Sequence, residues 1–144
     1  MIGDQVFFCG EEKKAFTRED ALLEFNNYLF KYKPVLLATY NTFKFDGKII
    51  IRQMKQCNLF ENFKDIVYGF IDLFPLFRDY MPETYNYYGD YKLKSLATYI
   101  LGENNVNNIR NALFDTRMLV DMVEEENFCE EYLKGFSKTV YQVE

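Results

Sequence analysis

The chain of 144 residues contains no histidine, and it has only three cysteines and three prolines. The absence of histidine excludes every mechanism in which this chain would supply an imidazole as base, nucleophile or metal ligand. The cysteines, Cys9, Cys57 and Cys129, are far apart and form no Cys-x-x-Cys pair, so a zinc site lacks ligands. Isolated thiols of this kind are typical of a reducing compartment, where they fill small apolar spaces.

Long apolar runs and an excess of positive charge are also missing. No stretch reaches the roughly 18 apolar residues of a membrane span, and no charged-then-apolar leader opens the chain. The formal net charge is −5, so the chain as a whole does not attract nucleic acid electrostatically. We therefore expect an intracellular protein, nuclear or cytoplasmic, that does not contact a membrane.

The residues that are present predict one α/β domain over residues 1–144. Hydrophobic residues make up 49% of the chain and aromatic residues 19%, which is enough to bury a core. The apolar runs Val35 to Ala38 and Asp65 to Ile71 have the pattern of buried parallel strands. A shorter strand is predicted over Gln5 to Cys9, followed by a charged turn at Glu11 to Lys14.

Helical patterns occupy most of the remaining chain. Thr17 has the spacing of an N-terminal cap, Pro34 sets a limit to the first helix, and Gly102 is a C-terminal stop. The tyrosine-rich stretch Thr84 to Tyr91 is predicted to be a loop, and the tail after Phe136 is expected to fray. Helices are predicted over residues 17–33, 48–57, 92–101, 107–125 and 127–136. Two clear strands and one marginal strand are too few for an independent sheet.

Four aspartates are candidate functional residues because of their positions relative to these elements. Asp46 follows the first buried strand and Asp72 ends the second, at the edge where an α/β sheet presents ligands. Asp115 lies beside the apolar stripe of the long helix, and Asp121 lies on the solvent side of the same helix. For each of them the alternative is a structural role as a helix cap, a turn residue or an exposed carboxylate.

Several segments resemble the DEDDh 3′–5′ exonucleases, which have an RNase H-like fold. Pro34 to Asp46 (PVLLATYNTFKFD) resembles their second motif, in which a strand leads through His-Asn to Phe-Asp. Gly69 to Arg78 and Tyr91 to Ala97 look like the stretch between motifs, and Arg110 to Asp115 (RNALFD) looks like the third motif. The similarity is closest to the exonuclease-like domain of the promyelocytic leukaemia protein group. It implies an incomplete RNase H-like α/β fold with few strands and several helices.

The resemblance also implies which catalytic parts have changed. These enzymes hold two divalent metals on carboxylates from three motifs. The chain has no counterpart of the first, Asp-x-Glu motif, and Tyr40 and Arg110 stand where the family usually has histidine. Arg110 places a permanent positive charge where a proton acceptor is required. Only Asp46 and Asp115 match family metal ligands, and such a vestigial pair would hold Mg²⁺ or Mn²⁺ weakly. We therefore expect no cofactor, with Mg²⁺ or Mn²⁺ as the ion if the chain is active.

Two groups of residues are candidates for nucleic-acid contacts despite the negative net charge. Lys44, Lys48 and Arg52 belong to a basic stretch that would face phosphates. Tyr87 and Tyr88 belong to the tyrosine cluster, whose rings would stack on the bases of a single strand. The alternatives are a solvated basic face and tyrosines that pack on neighbouring helices.

The sequence as a whole favours a catalytically degenerate exonuclease-like domain that acts as a protein-interaction or dimerisation module. A sheet without its opening strands exposes an edge, through which Val6 to Cys9 or Val35 to Ala38 would bind a second copy or another protein. Two alternatives stay open. One is a metal-dependent 3′–5′ exonuclease acting on DNA or RNA, with Asp72 near Asp46 and Asp115 in a restored acidic cluster. The other is a nucleic-acid binder that does not cleave.

Overall fold

The computed structural model describes residues 2–8, 11–105 and 112–144, with side chains described from residue 17 onward, except at residue 105. In these parts of the chain, nine α-helices accompany a three-stranded mixed sheet and a two-stranded antiparallel sheet. The predicted combination of helices with a parallel strand pair is confirmed. The elements are β1 (Ile2–Phe8), β2 (Glu11–Phe16), α1 (Arg18–Phe30), β3 (Val35–Thr39), α2 (Asp46–Gln56), α3 (Phe60–Ile66), β4 (Val67–Asp72), α4 (Leu73–Tyr80), α5 (Glu83–Tyr88), α6 (Leu93–Leu101), a 3₁₀ turn (Glu103–Asn105), α7 (Ala112–Glu126), α8 (Glu130–Lys134), β5 (Ser137–Thr139) and α9 (Val140–Val143).

The first two strands form an antiparallel hairpin. Val6 of β1 lies opposite Lys13 of β2, and Phe8 lies opposite Glu11. The predicted charged turn at Glu11 to Lys14 is therefore wrong, because these residues form a strand. Pairing with an apolar partner strand outweighs the low strand propensity of charged residues. Cys9, the last residue of the predicted first strand, lies outside the described residues.

The three-stranded sheet has the order β3-β4-β5. β3 and β4 are parallel, with Leu37 opposite Phe70, as the two apolar runs predicted. β5 is antiparallel to β4, with Lys138 opposite Phe70. The prediction of a fraying tail is therefore wrong, since the tail supplies a third strand and then α9, which begins with a capping box between Thr139 and Gln142.

β4 lies between two hydrophobic cores, and its consecutive residues Phe70 and Ile71 belong to different ones. Phe70 faces one core and Ile71 faces the other, because successive side chains of a strand point to opposite faces. The first core consists of Leu29, Ile51, Met54, Phe63, Ile66, Val67, Phe70, Val140 and Val143. The second core consists of Ile71, Leu73, Leu76, Phe77, Leu96, Ala97, Met118 and Met122. β4 is thus the central strand, with helices packed on both of its faces.

Local capping signals locate several helices correctly. The Thr17 hydroxyl accepts a hydrogen bond from the Asp20 amide at 3.2 Å, and α1 ends at Phe30, ahead of the cis Lys33–Pro34 peptide bond. Gly102, with φ of 86°, ends α6 as predicted. Sequence patterns therefore give the right end points where a single residue type fixes the local backbone.

Other helices differ from their predicted extents. The stretch Thr84 to Tyr91 is not a loop, since α5 covers most of it and ends at the left-handed Gly89. α3 and α4 were not predicted, and α8 is shorter than residues 127–136. The shortening has a physical reason: the Phe136 carbonyl accepts from the Asp72 amide at 3.1 Å, which draws this segment onto the sheet. Of the predicted helix 107–125, residues 107–111 lie outside the described residues.

A buried asparagine in α1 provides the first prediction. Asn26 is 3% exposed, and neither its side-chain nitrogen nor its oxygen has a hydrogen-bond partner among the described residues. Burying an amide without partners is unfavourable, so Asn26→Leu should raise the free energy of unfolding by about 1 kcal/mol. Urea denaturation followed by circular dichroism measures this change.

The neighbouring Asn27 provides the matched control because it is exposed on the same helix. Asn27→Leu makes the same chemical change in water and should alter stability by less than about 0.5 kcal/mol. A loss of stability in Asn26→Leu would show that the amide has partners that stabilise the fold.

Candidate functional site

Asp72, at the carboxyl end of β4, is a buried structural anchor. It is 2% exposed, and its carboxylate accepts hydrogen bonds from the backbone amides of Asn41 at 2.8 Å, Phe43 at 3.1 Å and Phe74 at 3.0 Å. The first two bonds hold the loop after β3, where Asn41 has φ of 63°, and the third caps α4. Because its oxygens are already engaged, Asp72 has the structural role that the sequence left open as an alternative.

Asp46 lies beside the carboxyl end of β3, and the residue that follows Asp115 lines a groove beside the same strand. Asp46 is in the first turn of α2 and accepts a hydrogen bond from the Thr39 hydroxyl at 2.7 Å. Thr39 also lines a groove together with Thr116, which follows Asp115 in the first described turn of α7. Asp121 is exposed on α7, in agreement with its predicted solvent side.

The described residues contain no group of three or more aspartate, glutamate or cysteine side chains that could hold a metal ion. Asp46, Asp72 and Asp115 are therefore not joined in a three-carboxylate site within this part of the chain. Asp72 is also unsuited to the role of ligand, because three amides surround its oxygens. A magnesium or manganese site completed by other residues stays a prediction.

Tyr40 occupies the first of the two positions where the resembled family has histidine. Its hydroxyl donates a hydrogen bond to the Tyr91 carbonyl, and its ring meets Phe74 edge-on at 5.3 Å. Burial raises the pKa of Tyr40 above its ordinary value, and the charges of Asp72 and Asp90 act in the same direction. Tyr40 is thus a fixed donor that stays protonated. The second position, Arg110, lies outside the described residues.

A cleft opens at the carboxyl ends of the parallel strands, and we call it the basic cleft. Its volume is about 430 Å³. Lys44 and Lys48 were predicted as ligand contacts, and both line it, whereas Arg52 does not. The full lining consists of Asn41, Phe43, Lys44, Lys48, Asp72, Phe74, Pro75, Arg78, Lys138, Gln142, Val143 and Glu144.

Sequence reasoning missed two cations of the basic cleft. Arg78 comes from α4 and Lys138 from β5, and neither element was predicted. The available signal for Arg78 was its position six residues after Asp72, in the segment that leaves a strand end. Lys138 carried no local signal, since only the antiparallel pairing with β4 brings it to this edge.

The predicted tyrosine contacts lie elsewhere. Tyr87 and Tyr88 are exposed on α5, and neither lines the basic cleft. The Tyr87 ring lies 5.5 Å from Tyr99, which agrees with the alternative that these tyrosines pack on neighbouring helices. The structure therefore does not bring the basic and aromatic candidates together.

Two further grooves flank β3, and we call them the edge grooves. Ala38 and Thr39 line both of them. The first, of about 210 Å³, lies on the face of the first core and includes Leu37 and Phe70. The second, of about 380 Å³, lies on the opposite face against α7. Within the described residues β3 pairs only with β4, so its other edge is unpaired.

Comparison with known proteins adds no family assignment. No protein-family model matches the chain, and no curated protein sequence matches it. None of the helices in the described ranges is both long and apolar enough to cross a membrane. The exonuclease resemblance is therefore carried only by the motifs quoted above.

Proposed function

We propose that the chain is a catalytically degenerate RNase H-like exonuclease domain that acts as a dimerisation module. The observation that carries this proposal is the unpaired edge of β3 with an edge groove on each side. An edge strand offers a row of backbone donors and acceptors, which a strand from another chain can satisfy.

The one feature of β3 that discourages edge pairing is at its amino-terminal end, where Pro34 directly precedes the strand. The register with β4 shifts between Val35 and Leu36, but the extra residue, Tyr68, belongs to β4 and not to the edge strand. Leu37 to Thr39 have no charged side chain and no irregularity, so this half of the edge is open to pairing.

The edge grooves favour a second copy as the partner. An added strand projects alternate side chains to the two faces of the sheet, and here each face has an apolar groove beside β3. β3 itself carries Leu36 and Leu37, which pack beside the second and the first core on opposite faces, so a two-fold antiparallel pair would continue both apolar faces across the interface. The same surface is then used on both subunits, as a two-fold dimer requires.

The altered catalytic positions support the degenerate part of the proposal. Tyr40, at a position where the resembled family usually has histidine, is a protonated donor. Asp72, which the enzyme alternative would need in a restored acidic cluster, is tied to three backbone amides. The competing enzyme hypothesis predicts 3′–5′ cleavage of a labelled single strand in Mg²⁺ or Mn²⁺. Cleavage by the purified chain that is lost in both Asp46→Ala and Asp115→Ala would overturn the degenerate assignment.

Light scattering during gel filtration at micromolar concentration tests the dimer. Ala38 is exposed and lines both edge grooves, so Ala38→Lys places a charge on the pairing edge without entering the core. We expect the unaltered chain to elute as a dimer and Ala38→Lys to weaken the dimer at least tenfold.

The matched control is Ala21→Lys, the same change at an exposed site on α1. This variant should remain a dimer. A monomeric unaltered chain would contradict the proposal, and so would a dimer that persists in Ala38→Lys.

A further inference from the structure

Four cations around the basic cleft have no ion-pair partner in the part of the chain that the structure describes. Among the described residues, Lys44, Lys48, Arg78 and Lys138 form no ion pair, although Lys33, Lys64 and Lys134 each pair with a carboxylate at 2.8 to 2.9 Å. The Lys138 ammonium lies 4.5 Å from the centre of the Phe43 ring, and the Arg78 guanidinium lies 5.4 Å from that of Phe74. These cation–π contacts hold the two charges at the wall of the cleft.

The two acidic residues of the lining are already engaged. Asp72 accepts three backbone hydrogen bonds, and the Glu144 carboxylate forms an ion pair with Lys55. The lining holds four cationic side chains and two carboxylates, one of which is paired with Lys55, so it carries an excess of positive charge within a chain whose formal net charge is −5. A concave surface lined by one sign of charge concentrates counter-ions of the opposite sign. The occupant that suits this cleft is an anion.

The size of the basic cleft and its position in the fold indicate which kind of anion it can bind. Its volume of about 430 Å³ lies in the range of small-molecule sites and far exceeds that of a single phosphate. It opens at the carboxyl ends of two parallel strands, where α/β proteins place their ligands. The four cations come from α2 and the loop before it, from α4 and from β5, so they surround the cleft from several sides.

We infer that the basic cleft binds a ligand carrying two or more phosphate groups. Arg78 is suited to bidentate hydrogen bonds with one phosphate, and the lysines act as point charges for the others. The same chemistry occurs in free pyrophosphate compounds such as nucleotides and in the backbone of a single-stranded nucleic acid. This inference is independent of the dimer, since the cleft and the unpaired edge of β3 use different residues.

Titration calorimetry of the full chain with inorganic pyrophosphate, ATP and a single-stranded oligonucleotide tests the inference. We expect at least one probe to bind at low salt, with affinity that falls as salt rises. Arg78→Gln and Lys138→Gln should each weaken that binding at least fivefold. Arg117→Gln and Lys94→Gln remove exposed cations outside the cleft and should leave the affinity within twofold.

The results of this experiment distinguish the two possible sources of the phosphate groups, and they show whether the inference fails. Binding of pyrophosphate and ATP assigns the cleft to free phosphate compounds, and binding of the oligonucleotide alone assigns it to a nucleic-acid backbone. No binding by any probe at low salt would overturn the inference, as would equal losses in the cleft and control variants. Thermal melts confirm that each variant is folded. Ala38→Lys should bind the phosphate probes as tightly as the unaltered chain does. A failure of the phosphate-binding inference can therefore be distinguished from a failure of the dimer proposal.

Discussion

Replacing Asp72 by alanine should destabilise the protein by about 3 to 4 kcal/mol, measured by urea denaturation. The variant leaves the amides of Asn41, Phe43 and Phe74 without their acceptor at a site that is 2% exposed. An unsatisfied buried donor costs about 1 to 3 kcal/mol, and relaxation of the loop after β3 recovers part of the total. The loss should therefore be large although the residue contributes no apolar surface to either core.

Two further variants test whether the loss of stability in Asp72→Ala is due to the loss of its carboxylate. Asp72→Asn keeps one side-chain oxygen as an acceptor and should lose about 1 to 2 kcal/mol. Asp65→Ala removes an aspartate whose side chain is 70% exposed in its ion pair with Lys33, and should change stability by less than about 0.5 kcal/mol. If Asp72→Ala were as stable as the unaltered chain, the anchoring role of Asp72 would be wrong.

The parts of the fold that were predictable have local causes. Val35 to Ala38 form a strand because a short continuous apolar run is typical of a buried strand, and this one is paired parallel to β4. Thr17 begins α1 through a hydrogen bond within its own turn, and Gly102 ends α6 with a positive φ. In each case the information lies within a few residues, so the sequence pattern is sufficient.

The parts that were missed depend on contacts distant in the chain. β5 is a short polar segment, and it becomes a strand because β4 offers it a paired edge. α5 contains a run of aromatic residues with modest helix propensity, and it forms a helix whose Thr84 is fully buried against the rest of the protein. Tertiary packing decides both cases, and neither leaves a periodic pattern in the sequence.

The residues of the candidate site also include some that the sequence predicted and some that depend on distant contacts. Lys44 and Lys48 were found because they follow a predicted strand, whereas Arg78 and Lys138 required the unpredicted α4 and β5. Asp72 was correctly placed at a strand end, but position alone does not separate a ligand from an anchor. The distinction lies in the loop at Asn41, whose amides turn toward the carboxylate.

The contact between β4 and β5 should fail when Gly69 becomes alanine. A Cβ atom at position 69 would lie 2.1 Å from the Lys138 carbonyl oxygen, and no side-chain rotation relieves a clash between a Cβ atom and backbone. β5 must move away from β4, with loss of the pairing of Gly69 with Thr139. We expect a destabilisation of about 3 kcal/mol, measured by urea denaturation. Gly135→Ala is the matched control, because its Cβ would lie 3.3 Å from the nearest atom and its φ of −60° suits alanine.

Hydrogen exchange locates the damage of Gly69→Ala within the sheet. Amides of residues 137–143 should lose protection, while those of the parallel pair β3 and β4 keep it, because the clash concerns only the antiparallel side. Lys138 would leave the basic cleft together with β5, so phosphate binding should weaken in the same variant. Unchanged protection at residues 137–143 would contradict the close approach of the two strands. A loss of β5 without weaker binding would remove Lys138 from the set of ligand contacts and leave Lys44, Lys48 and Arg78.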